Sequence, residues 1–309
     1  EASVSLKKVG KLLEGQSILA GLSFGIERGS VMAMVGPNDS GKSTLLKVLA
    51  GVIKPEFGKV FINGMDNQLR KNETRRVVGY MTQNPNFDFQ LSIRENIVFH
   101  GLLYGLSTSL IHSQIRKLSY YFQIRDILDS YPANLSRGYL KRAMLVRTFI
   151  HDPEILFLDE PTSSLDLHSR YIVWDFLQRL KGEKTIVYAT QSIDEAERLH
   201  DRITVIHHGR IVLEGTLDKL LETSGDLHHF QIQFEKLNDD MFKRLSKIST
   251  VVTPKQIGNT FDFYGRNRRV MFDVMKIAIE ANLLDFKAKR VALETLIKAS
   301  TEGELSDSD

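Results

Sequence analysis

The 309-residue sequence predicts an α/β chain followed by a smaller α+β domain. Three observations carry that prediction. Residues 31–35, Val-Met-Ala-Met-Val, are apolar throughout, as in a strand buried on both faces of a sheet. They run directly into Gly36-Pro37-Asn38-Asp39-Ser40-Gly41-Lys42-Ser43-Thr44, a full match to G-x-x-x-x-G-K-[ST], and then into apolar residues at helical spacing over 44–53. Farther on, the apolar run Ile155-Leu156-Phe157-Leu158 ends in Asp159-Glu160-Pro161. A strand, glycine loop and helix, with a second buried strand ending in carboxylates, form the order a phosphate site requires.

The remaining elements follow from periodicity. Residues 3–8 and 17–26 alternate in part and predict antiparallel strands. Turn signals at 55–58 and at Asn63-Gly64 bracket a strand over 59–62, and 77–81 reads as another buried strand. From 88 to 131 the apolar period turns helical, with Ile93, Ile97, Leu102 and Leu103 in one segment and Leu110, Ile115, Leu118, Tyr121 and Phe122 in the next. Trp174, Phe176 and Leu177 fall at helical spacing and predict core. Residues 185–189 predict a strand, Ser192-Ile193-Asp194-Glu195 an acidic helix start, 203–207 and 210–214 a hairpin, and 216–221 a short helix. Composition shifts at 223–226, a linker. Beyond it strands are expected at 230–234, 251–253 and 260–264, and helices at 238–248 and 270–281. The tail 301–309 is acidic and serine-bearing and reads as disordered.

Composition narrows the function classes. No window reaches the length of about eighteen apolar residues that spanning helices need, and no signal-peptide pattern opens the chain, which predicts a cytosolic protein. Residue 1 is Glu rather than Met, which predicts a processing boundary. The absence of cysteine removes disulfides, thiolate metal sites and cysteine nucleophiles together. A net charge of +3 is small for this length, and no aromatic platform accompanies the basic cluster Arg266, Arg268 and Arg269, so nucleic acid is not an expected partner. The adjacent pairs His207-His208 and His228-His229 lack metal-ligand spacing and read as turn or surface residues.

A segment between the two motifs identifies the family. Leu135-Ser136-Arg137-Gly138-Tyr139 opens a basic helix, and Ser163-Ser164-Leu165-Asp166 follows the acidic pair. In this order the motifs resemble the ATP-binding cassette (ABC) ATPases. The resemblance implies a P-loop NTPase with a RecA-like core sheet, an antiparallel β subdomain and a helical subdomain at about 88–150, all within residues 1–222. The segment Val291-Ala292-Leu293-Glu294-Thr295-Leu296 is similar to the accessory domain of ABC-2 type exporter ATPases, and places such a domain at 226–300.

The resemblance also implies roles. ATP and Mg²⁺ are the expected ligands. Amides of Gly36 to Thr44 cradle phosphates, Lys42 reaches the β- and γ-phosphates, and Ser43, Gln83 and Asp159 hold Mg²⁺, Asp159 through water. Glu160 is the expected general base. Ser136 and the Gly138 amide close over the ATP of a second cassette, and Asp166 communicates between the sites. Locally Ser136 also reads as an ordinary N-cap.

Two positions depart from the family. Gln191 stands where a histidine is usual, and its amide donates a hydrogen bond but carries no charge. Leu13 aligns with the aromatic residue that stacks on adenine, so base contact is expected to be apolar. The expected partners are a second cassette, by default as a C₂ homodimer, and an integral membrane permease. The chain is then peripheral on the cytoplasmic face of the cell membrane and serves export. An ATP-sensing cassette with weak or no hydrolysis, paired with another subunit, and a soluble non-transport ABC ATPase, are the alternatives.

Overall fold

The computed structural model describes residues 2–217, 219–220, 228–248, 251–265, 269–279 and 282–290. The expected linker at 223–226, Arg266 and Arg268 of the basic cluster, the motif at 291–296 and the tail 301–309 lie outside these residues. The chain divides into two units, Glu1–Glu214 and Gly215–Asp309.

The first unit holds two sheets. Strands β1 (Ala2–Leu13), β2 (Gln16–Glu27), β4 (Phe57–Ile62) and β5 (Met65–Asp66) form an antiparallel sheet in the order β2-β1-β4-β5. The second sheet has the order β10-β9-β3-β8-β7-β6, from β3 (Val31–Val35), β6 (Val78–Met81), β7 (Ile155–Asp159), β8 (Thr185–Thr190), β9 (Arg202–His207) and β10 (Arg210–Gly215). Strands β9, β3, β8, β7 and β6 run parallel. Every residue of β3, β7 and β8 is buried, as their unbroken apolar runs require. Helix α1 (Lys42–Leu49) buries Leu45, Leu46, Val48 and Leu49 in one core with residues of both sheets, among them Val4, Leu19, Val60, Met34 and Phe157.

Helices α3 (Ile93–Leu103), α4 (Thr108–Tyr121) and α5 (Arg137–Phe149) make up the helical insert. A reciprocal capping box of Ser92 and Glu95 starts α3. Its inward face is Ile93, Asn96, Ile97 and Gly101. Leu102 and Leu103, grouped by periodicity with Ile93 and Ile97, are 49% and 69% exposed, while Gly101 beside them faces inward and packs closely on Ile111. Trp174 and Leu177 of α6 (Leu167–Leu180) are buried as expected, and Phe176 packs in a ring cluster with Tyr121, Phe122 and Phe149. Two further helices, α2 (Lys71–Val77) and α7 (Ile193–Leu199), complete the unit.

The second unit is an α+β sandwich. Its elements are β11 (His228–Phe234), α8 (Asp239–Ser246), β12 (Val251–Ile257), β13 (Thr260–Gly265), α9 (Arg269–Ile279) and β14 (Leu283–Arg290). The sheet order β12-β13-β11-β14 is the split βαβ arrangement. Phe230, Ile232, Phe234, Phe261 and Phe263 share its core with Leu245 of α8 and Val270, Val274 and Ala278 of α9.

Candidate nucleotide site

In an open parallel sheet, ligands bind beyond the carboxyl ends of the strands. Here the loop 36–41 follows β3, Gln83 follows β6, Asp159 and Glu160 close β7, and Gln191 follows β8. A cleft of about 230 Å³ opens at this edge, lined by Leu13, Ile18, Asn38, Asp39, Ser40, Gly41, Lys42, Ser43, Thr44, Gln83, Glu160 and Gln191. Residues up to about 180 positions apart in sequence therefore meet in one concavity, with the adenine-position candidate Leu13 at its rim.

The loop is shaped for backbone approach. A Cβ at Gly36 would meet Ile206 O at 2.2 Å, and Gly41 has φ 104°, where a Cβ would meet Ile18 O at 2.8 Å. Neither position accepts a side chain. The following turn of the chain, at His208-Gly209, buttresses the loop: Gly209 N donates to Ser40 O at 2.9 Å. Lys42, only 6% exposed, folds back so that Nζ donates to Gly36 O and Pro37 O, both at 2.7 Å. Its ammonium pKa is lowered by burial, against the opposing pull of Glu160, Asp159 and Asp39. A poorly solvated cation at a helix start is matched to phosphate.

Asp159 and Glu160 are both buried, and burial pushes both carboxyl pKa values up. The Ser43 hydroxyl beside the Asp159 carboxylate opposes that rise. Asp159 Oδ1 and Glu160 Oε1 are buried without a hydrogen-bond partner. Orphaned buried carboxylate oxygens beside a serine hydroxyl are a hard-cation and water donor set, so these residues fit Mg²⁺. Glu160 holds a left-handed φ of 51°, an uncommon conformation for a non-glycine residue, and its N donates to Ala189 O at 3.0 Å. Gln191 Nε2 donates to Asn38 Oδ1 at 2.7 Å, and its amide lies near enough to Glu160 to oppose the rise in that carboxyl's pKa. Gln191 thus sits between the phosphate loop and the acidic pair.

Sequence reasoning did not single out Glu195, which it took only as part of a helix start. Its buried carboxylate accepts from Thr162 Oγ1 at 2.7 Å, Trp174 Nε1 at 3.0 Å and Thr190 Oγ1 at 2.6 Å. It ties the chain just after Glu160 to the chain just before Gln191. The only signal in the sequence was a carboxylate in an amphipathic turn; its donors lie on other elements.

Ser136, Gly138 and Asp166 do not line the cleft. Ser136 caps α5, accepting from Tyr139 N at 3.4 Å, and Asp166 caps α6, accepting from Ser169 N at 3.0 Å. They are nonetheless neighbours: the space beside Gly138 is bounded by Ser164 O at 3.6 Å. Ser136, Arg137 and Asp166 are exposed there.

Comparison with known proteins agrees with this geometry. The ABC transporter family model matches residues 19–163. Nod factor export ATP-binding protein I of Rhizobium sp. (strain N33) is 35% identical over 223 residues, covering 72% of this chain and 73% of that protein. Among solved structures, the dimeric post-hydrolysis state of the ATP-binding cassette MJ0796 bound to ADP and Pi superposes with a TM-score of 0.65 at 26% identity, over 69% of this chain and 98% of that one. The structure of cbiO1 from Clostridium perfringens, part of the ABC transporter complex cbiONQ, gives a TM-score of 0.62 at 26% identity, over 72% and 91%. A nucleotide cleft at the carboxyl edge of a parallel sheet, on a chain with these relatives, has one interpretation: the protein belongs to the ABC transporter family as an ATP-binding ATPase subunit.

Proposed function

We propose that this chain hydrolyses ATP as a head-to-tail dimer and so drives a separate membrane permease in an exporter. The observation that carries the reading is the cleft in which Gln191 donates to Asn38 with Glu160 on the same wall, which brings together a phosphate-loop residue, a base and a γ-phosphate donor. Amides from Gly36 through Thr44 hold the phosphates, and Lys42 exchanges its loop carbonyls for the β- and γ-oxygens. Ser43, Gln83 and Asp159 hold Mg²⁺, which when bound neutralises charge on the β- and γ-phosphates. Glu160 accepts a proton from the attacking water, and Gln191 donates to the γ-phosphate. Leu13 rests against adenine.

Ser136 and Gly138 of one chain close over the ATP of the other, and Asp166 lies between the two sites. Their separation from the cleft, together with the exposure of Ser136 and Asp166, supports a role across a dimer. A homodimer is the simplest assembly. Residues 1–222 are the nucleotide-binding domain, with 88–150 its helical part, and 226–300 an accessory domain. The described residues include no helix long and apolar enough to cross a membrane, so the permease supplies the spanning segments and holds the cassette peripherally on the cytoplasmic face. Exposed Phe99, Leu102 and Leu103 on α3 are the face we assign to that permease. The export direction follows the name of the rhizobial relative.

The test is Mg²⁺-dependent phosphate release over a series of protein concentrations, with Gln191→His alongside. Turnover rising more than linearly with protein supports a hydrolysing homodimer. Gln191→His is expected to raise turnover about tenfold, because a charged donor replaces a neutral amide at the transition-state charge. One observation favours the second reading, an ATP sensor: the Gln191 amide is already engaged by Asn38. That reading predicts bound ATP without turnover until the histidine is restored.

Leu13→Phe checks the base contact. Stacking adds about 1–3 kcal/mol per base, so ATP is expected to bind about tenfold tighter. Inorganic tripolyphosphate, which has no base, is expected to bind both forms alike in the same titration. An equal gain for both ligands removes Leu13 from the base site.

A further inference from the structure

Residues 82–88 connect β6 to the helical insert and carry Gln83 into the cleft. The segment has no regular secondary structure, so its backbone carbonyls need other partners. Side chains supply them. Thr82 Oγ1 donates to Asn84 O at 2.7 Å, and Asn96 Nδ2 donates to Asp88 O at 2.9 Å. Two more carbonyls are taken by cations of α5. Lys141 Nζ donates to Gln83 O at 2.7 Å, and Arg147 Nη1 donates to Asn86 O at 3.0 Å. The other arm of the Arg147 guanidinium bonds Asn86 Oδ1, and its central carbon lies 4.5 Å from the centre of the Phe87 ring.

These cations sit in costly positions. Lys141 is 2% exposed. Among the described residues neither cation has a carboxylate at ion-pair distance. Burial lowers the Lys141 pKa to about 8, against the pull of Asp159, Glu160 and Glu195, and lowers that of Arg147 to about 10. An aliphatic side chain at either place would spare the desolvation penalty. The gain from keeping the charge is geometric: a charge-assisted donor fixed on a carbonyl. Both donors stand on the helix that Ser136 caps.

We propose that Lys141 and Arg147 are positioning residues that clamp residues 83–87 to α5, so that Gln83 in the chain's own cleft and Ser136 at the start of α5 shift as one rigid piece when nucleotide binds. The clamp carries the state of one nucleotide site to the surface that meets the other. It rests on the nucleotide site proposed above only for the ligand that moves it. The contacts themselves are made between residues of this chain alone.

Hydrogen exchange of the full chain, with and without Mg²⁺ and ATP, tests this. Lys141→Met keeps the apolar stem and deletes the donor. In the nucleotide-free chain it is expected to raise exchange across 82–88 about tenfold, the size of one lost charge-assisted hydrogen bond, with the core strands unchanged. Lys141→Arg is expected to restore protection, and Arg147→Met to loosen the 86–88 end preferentially. With ATP, the wild-type chain gains protection at 82–88 and 135–140 together. Lys141→Met keeps ATP affinity within about twofold, by retaining the phosphate loop, but loses the response at 135–140 and about tenfold in turnover at unchanged KM. Unchanged exchange at 82–88 in both Met variants, or a full response at 135–140 in Lys141→Met, overturns the clamp. If Lys141→Met unfolds, Lys141→Arg and Arg147→Met decide on the same readouts. A wild-type chain that binds no ATP overturns the nucleotide reading instead, and the nucleotide-free arm still decides the clamp.

Discussion

Glu160→Gln is expected to cut ATP turnover about 1,000-fold while ATP remains bound. General-base catalysis contributes about 10²–10⁴ in rate, and an amide of the same shape cannot take the proton. The conservative change isolates that loss. The left-handed backbone at position 160 is untouched, and its N–H still reaches Ala189 O. Burial is the main cause of the raised Glu160 pKa, and a raised pKa brings a carboxylate nearer the operating pH, which makes it a stronger base. Turnover of the native chain is therefore expected to fall as pH drops through that raised pKa, earlier than an ordinary carboxylate would give. Single-turnover phosphate release and retained nucleotide on a filter measure the two halves. Turnover above about a tenth of native assigns the base elsewhere.

Lys42→Ala is expected to weaken ATP binding at least about 100-fold, by removing a charge-assisted contact to phosphate worth about 1.5–3 kcal/mol and the loop geometry with it. The second loss follows from where the ammonium rests. With Nζ on Gly36 O and Pro37 O, the loop is already wound around the cation that will meet phosphate. Without it those carbonyls face each other around a gap. Equilibrium titration reads the affinity. Thermal unfolding with and without ATP gives an independent reading, since a ligand bound to the native state raises the midpoint by mass action. The native chain shifts upward and Lys42→Ala does not; equal shifts would remove Lys42 from the site.

Much of this site was legible because its signals are local. A glycine at an obligatory left-handed position and a lysine one step later need no tertiary context, and Gly41 and Lys42 behave as that pattern demands. The buried strands were equally plain, since a run such as Ile155 to Leu158 has no polar face to turn outward. The contacts between motifs were not legible. Glu195 draws donors from positions 162, 174 and 190, and Lys141 reaches back to Gln83. Nothing in either residue's neighbours encodes such a pairing. Helix α2 escaped notice because Lys71–Val77 buries only Thr74, so it has no apolar stripe to read. Strand β14, at a sheet edge, was missed although Leu284, Phe286 and Ala288 alternate with Asp285, Lys287 and Lys289, because the run is short and its polar face is charged.

The topology of the second unit has an evolutionary corollary. Strand β11 opens it and β14 closes its described part, and the two pair antiparallel with His228 opposite Arg290. The first and last described strands thus lie side by side, and the fold between them closes on its own core. A module whose core closes between neighbouring strands can be exchanged for another, or grafted onto a different carrier, without re-threading anything upstream of its attachment point. The nucleotide unit, whose own core is complete by β10, is then free to conserve its chemistry while the appended unit diversifies.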